Sequence, residues 1–215
     1  MANTNRSGER RRREHRVASR VPELGYYLII TDTKETEKYF FDGLRDSLPV
    51  NIQKKIVIKV IEAKTSKMIE KCLELLAQES QYRIAWIVFD RDRVKDFDEI
   101  IQEAEQKDIR VGWSNPCFEI WLYAYFGAMP VILESTKCCS DFRRVYKRIT
   151  KQEYSKIDKN LYEKLRKVGD EEKAIIIAKQ KNEQHRRSNK VKPSEMIPGT
   201  TVHELVEEIS KKGRG

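Results

Sequence analysis

The stretch Ala85-Trp86-Ile87-Val88-Phe89-Asp90-Arg91-Asp92-Arg93 decides how the chain is read. An apolar run rich in β-formers stops at two aspartates with one residue between them. A run without alternation is expected of a strand covered on both faces, as in a parallel sheet. Acidic residues just past the carboxyl end of such a strand stand where open α/β sheets place their ligands. On an extended segment residues i and i+2 point the same way, so Asp90 and Asp92 are expected to converge on one hard cation. The competing reading is a solvated turn that caps the next helix. A carboxylate from a neighbouring strand decides between the two.

Upstream, Gly25 to Thr31 reads as a first strand with Asp32 directly after it, and Glu35 to Leu48 as a helix ended by Pro49. Lys55 to Glu62 is a second strand and Ser66 to Gln78 a helix with Met68, Ile69, Cys72, Leu73 and Leu76 inward. The opening stretch is the third strand, followed by a helix over Asp96 to Gln106 and a fourth strand over Ile109 to Trp113. Such alternation predicts a parallel α/β sheet flanked by helices, with right-handed crossovers. Asn115 before Pro116 is expected to cap an aromatic helix running through Phe126. Beyond Gly127 the chain turns helical and basic: Arg143 to Lys151, Leu161 to Val168 and Glu171 to Gln184 are the expected helices. Asn182 to Pro193 is expected as an exposed loop, and Pro198-Gly199-Thr200-Thr201 as the cap of a last helix over Val202 to Ile209. Three regions follow: a disordered basic arm over 1–20, an α/β core over 21–130, and a basic helical extension over 131–215 packed on that core.

Charge is distributed along the same lines. Residues 1–20 carry seven Arg against two Glu, a net +5. Residues 21–135 carry 15 basic and 20 acidic side chains, and residues 136–215 carry 21 and 12. An acidic middle between basic flanks suits a metal-carboxylate centre within a phosphate-binding surround, against the blander reading of solvated charged faces. No apolar run is long enough to span a membrane, and the arginines at the start have no apolar segment behind them, so no signal peptide is expected. Cys72, Cys117, Cys138 and Cys139 lack CxxC spacing, which argues against a zinc site and suits a reducing cytoplasm.

With strands one and three as neighbours, Asp32 and the pair Asp90 and Asp92 lie at one edge, where three carboxylates hold one or two Mg²⁺ or Mn²⁺ ions. Two other folds with similar acids fit less well. A receiver domain needs an acid pair after its first strand and a lone Asp after its third. A haloacid-dehalogenase-like phosphatase needs its DxD after the first strand.

Thr36-Glu37-Lys38-Tyr39-Phe40, Phe89-Asp90-Arg91-Asp92, Asn115-Pro116-Cys117-Phe118-Glu119-Ile120-Trp121-Leu122 and Pro198-Gly199-Thr200-Thr201-Val202-His203-Glu204-Leu205-Val206 together resemble the RloB-like family, proteins of abortive-infection and restriction loci. The resemblance spans residues 25–210 and implies a TOPRIM-type catalytic domain, with Asp90 and Asp92 at its DxD metal ligands. It further implies a Mg²⁺-dependent nuclease in prokaryotic antiviral defence, with a partner ATPase encoded nearby. DNA and RNA substrates, tRNA included, both stay open. Asp32-Thr33 stands where TOPRIM domains usually have Glu-Gly. The aspartate reaches roughly 1.5 Å less far, so the departure implies a shifted ion geometry or reduced activity. Glu35 and Glu37 are the available substitutes, with Asp32 the first choice.

Further candidates carry their ordinary alternatives. Glu119 is a fourth acid or orients a catalytic water, or else caps its helix. Arg91 and Arg93 beside the DxD pair are phosphate clamps or partners of nearby carboxylates. Lys156, Lys159 and the arm residues Arg10, Arg11, Arg12 and Arg13 are nucleic-acid contacts, or a solvated basic face. Trp113, Phe118 and Trp121 are read as core rather than as base-stacking platforms. Two other functions stay in view: a catalytically weak or inactive nucleic-acid-binding or partner protein, and a phosphotransfer or nucleotide-processing enzyme.

Overall fold

The computed structural model describes residues 26–61, 65–79, 81–92 and 94–213. The basic arm, with Arg10 to Arg13, and Arg93 lie outside the described residues. The first four strands are β1 (Tyr26–Thr31), β2 (Ile56–Val60), β3 (Tyr82–Asp90) and β4 (Arg110–Asn115). They pair in parallel in the order β2-β1-β3-β4. The intervening helices are α1 (Thr36–Asp46), a short α2 (Val50–Gln53), α3 (Met68–Gln78) and α4 (Phe97–Gln106). Then come α5 (Glu119–Ala124), α6 (Ser135–Thr150), α7 (Leu161–Val168), α8 (Glu171–Arg187), β5 (Gly199–Thr200) and α9 (Val202–Gly213).

Alternate residues of each buried strand face opposite layers. Leu28, Ile30, Ala85, Ile87 and Phe89 meet α3 and α4 through Met68, Cys72, Phe97 and Ile101. Tyr27, Ile29, Trp86 and Val88 meet an aromatic layer from α1 and α5 to α9. Phe40 stands at its centre, edge-on to Phe41, Phe118, Trp121, Tyr125 and Tyr162. Edge-on pairs set the positive rim of one ring against the negative face of the next. Phe118 and Trp121 are fully buried and Trp113 nearly so, which makes all three core. Gly43 admits the approach of α7, since a Cβ there would lie 2.6 Å from the Tyr162 Cβ.

Three expectations change. Asn115 is no helix cap: it ends β4, its side-chain amide donates to the Pro193 and Ser194 carbonyls, and α5 begins only at Glu119. The loop expected from Asn182 begins later, because α8 continues to Arg187 and Asn182 is buried. Gly199 and Thr200 form a fifth strand, antiparallel to β4, besides leading into α9. Asn182 donates to the Thr200 carbonyl (2.7 Å) and accepts from the Thr200 N–H (3.4 Å). α6 to α9 share one buried layer with β1 and β3. Among the described residues no helix is long and apolar enough to cross a membrane.

Candidate metal centre

Chain order determines where the acids meet. From β1 the chain crosses to β2 on one side, while β3 and β4 extend the sheet on the other, so strand order reverses between β1 and β3. Crevices at the carboxyl ends of such strands are the usual ligand sites of open α/β sheets. Thr31 pairs with Val88, which leaves Asp32 and Asp90 at adjacent strand ends. They line a cleft of about 470 Å³ together with Glu37, Asp92, Lys95, Cys117, Cys139 and Lys156. A larger groove of about 850 Å³ borders β4, where Arg110 pairs with Glu208 and Asp98 accepts from Ser194. Its place at the reversal of strand order, rather than size, singles out the smaller cleft.

The charges of four carboxylates act on one another here. Burial, then Glu37, Glu119 and Asp32, push the Asp90 carboxyl well up, opposed by a hydrogen bond from the Phe118 backbone N–H. Burial and Asp32 push Glu37 up to about 7, and burial pushes Asp32 up to about 6. Asp90 Oδ1 is buried with no hydrogen-bond partner. Buried polar atoms are nearly always satisfied, so an orphan oxygen among acids is a place where a cation fits.

The second layer is ordered. Thr33 Oγ1 donates to Glu37 Oε2 (2.8 Å), and Tyr154 Oη donates to Glu119 Oε1 (2.9 Å). The tyrosine has one proton to give, so at 3.1 Å Thr36 Oγ1 donates to it. Lys156 Nζ lies 3.8 Å from both Glu119 and Glu35. Burial works against the Lys156 charge, but Glu119 and its neighbours outweigh it and hold the ammonium protonated.

The sequence-derived candidates are placed unequally. Asp32, Asp90 and Glu119 come together, and Glu119 makes no capping bond, since its carboxylate turns to Tyr154 and Lys156. Asp92 is not on the extended segment: β3 ends at Asp90, and Asp92 follows in a turn with φ 25°, exposed on the rim. The i and i+2 argument therefore fails, although Asp92 still borders the cleft. Arg91 is half-buried and borders a neighbouring depression with Asp92 and Glu134. Lys159 is exposed and faces a separate groove beside α7. Sequence reasoning admitted Glu37 only as a substitute for Asp32, whereas both acids are present in the cleft. Tyr154 was passed over. The Thr36-Glu37 pair at the start of α1 was the available signal, because the first turn after β1 opens on the switch point.

A family model described as RloB-like protein matches residues 27–209. No curated protein and no solved structure matches the chain.

Proposed function

The chain belongs to the RloB-like family, and from that premise we propose that it is a Mg²⁺- or Mn²⁺-dependent nuclease hydrolysing DNA or RNA, tRNA among the possible targets, in prokaryotic antiviral defence. The observation that carries this reading is the crowding of negative charge from Glu37, Glu119 and Asp32 on Asp90, one of whose oxygens is buried without a partner. An all-oxygen, strongly anionic donor set suits a hard divalent cation. Asp32 and Asp90 would hold it, with Asp92 reaching in from the rim. Once bound, such an ion stabilises charge on the phosphodiester and activates water.

The remaining steps belong to side chains. Glu37, at the start of α1 and held by the Thr33 hydroxyl, accepts the proton of the attacking water. The water oxygen bonds to phosphorus as the P–O bond to the leaving oxygen breaks. That oxygen departs with the electron pair and later takes a solvent proton. Lys156 faces the charge that develops, and Tyr154 fixes the Glu119 carboxylate. The basic excess of residues 136–215 favours a polynucleotide over a free nucleotide. A nearby-encoded ATPase is the proposed partner.

The test is incubation with plasmid DNA, single-stranded DNA and total tRNA, in Mg²⁺, Mn²⁺ or EDTA, with and without that ATPase. Metal-dependent cleavage that Asp90→Asn abolishes is expected. Cleavage that persists in EDTA, or in Asp90→Asn, overturns the proposal.

A further inference from the structure

We propose that Cys117, Cys139 and Glu119 form a second cation site, for a soft divalent ion of the Zn²⁺ class, in the wall of the carboxylate cleft. Cys117 is buried just before α5, and Cys139 is half-buried on α6. Their sulfurs are 3.9 Å apart, and one ligand atom from each of the three residues lies within 4.8 Å of the others. Two thiolates on a tetrahedral zinc with Zn–S of about 2.3 Å stand about 3.8 Å apart. A disulfide needs about 2.04 Å. In the ion-free fold the two thiols are in hydrogen-bond contact, and that same separation seats two thiolates on one tetrahedral ion with little movement.

Ligand chemistry separates this site from its neighbour. Asp32, Glu37 and Asp90 offer only oxygen, which suits Mg²⁺ and Mn²⁺, whereas sulfur selects zinc-like ions. Both thiols border the cleft, which leaves a fourth tetrahedral position for solvent. Binding displaces the two thiol protons to solvent. The separation in sequence explains why Cys spacing alone gave no sign of zinc: 22 residues part the cysteines, and the third ligand is a carboxylate.

Glu119 is common to both sets. A soft ion here draws its carboxylate away from Tyr154 and Lys156, so on the nuclease reading above zinc occupancy opposes cleavage. The binding itself does not depend on that reading.

Co²⁺ added to the full chain under a non-thiol reductant reports the site directly, through a near-ultraviolet thiolate-to-cobalt band and tetrahedral visible absorption. We expect both in wild type, in Cys72→Ser and in Asp90→Asn, with displacement by Zn²⁺. Complete loss is expected in Cys117→Ser and in Cys139→Ser. Cys139 is only half-buried, so its serine variant decides the matter should Cys117→Ser fail to fold by circular dichroism. Absence of the band from wild type, or its survival in Cys139→Ser, overturns the site. Asp90→Asn that keeps the band while losing cleavage supports both proposals. A thiolate band in a protein that cleaves nothing supports the site and overturns the nuclease alone.

Discussion

Glu171, at the start of α8, is buried and accepts hydrogen bonds from Tyr125 (2.9 Å), Tyr162 (2.8 Å) and Ser210 (3.1 Å). Asp90, at the end of β3, has three acids around it and a buried oxygen that nothing satisfies. Glu171 is buried whole, and Asp90 through one of its two oxygens. Donors disperse the charge of the first, which makes it a joint between α5, α7, α8 and α9. Like charges crowd the second, and a local conflict kept in an otherwise consistent fold marks a functional place.

Asp90→Asn breaks this contrast most sharply. Removing one like charge should leave the melting temperature unchanged or higher, while cleavage falls by about 10³-fold, equivalent to about 4 kcal/mol in the barrier. Gel assays and calorimetry on the same sample check both halves. Glu171→Ala should do the reverse: it strands two buried tyrosine hydroxyls and costs about 3 kcal/mol of stability, with per-molecule cleavage retained. Urea denaturation measures it, and Glu171→Gln, which keeps an acceptor, should lose less.

pH sharpens the comparison next. Glu37 rises from 4.5 to about 7 in the ion-free fold, mainly through burial and Asp32. A folded-state value above the unfolded one means that the folded chain binds the extra proton between roughly pH 4.5 and 7. Stability is then fully present below that window and is lost as pH rises through it, by about 3 kcal/mol for this group. Denaturation at pH 5 and pH 7.5 should show the fall, Mg²⁺ should reduce it, and Glu37→Gln should flatten it. The smallest effect belongs to Tyr154→Phe. It removes one donor to Glu119 and should cost about 1 kcal/mol of stability, with a decrease in kcat larger than any change in KM.

The parts legible in the sequence are those whose evidence is local. The Trp86–Phe89 run ends at a buried strand's carboxyl end, and the pairing of β1 with β3, a condition in the sequence reading, puts Asp32 and Asp90 in one cleft. Asp92 went astray because two residues of extended backbone were assumed where the chain already turns. Glu37 reads as an ordinary first-turn acid, favoured by the helix dipole at any such position. Tyr154 lies 118 residues from the Thr36 hydroxyl it meets, and no spacing rule reaches that far. α6 starts earlier than expected because Cys138, Phe142 and Tyr146, at every fourth position, are the buried stripe of a basic segment. β5, at two residues, is too short to carry a strand pattern and exists through its pairing with β4.

Asn182 has a consequence for how this sheet meets other chains. A bare outer strand offers its N–H and C=O groups as a template on which a foreign segment can zip up. At Thr200 both groups are already engaged by the Asn182 amide, which imitates the pair of contacts an incoming peptide would make. α8 thus stoppers the β5 border with a single side chain. At the opposite border, Ile56–Val60 pairs with β1 and, among the described residues, with no further strand.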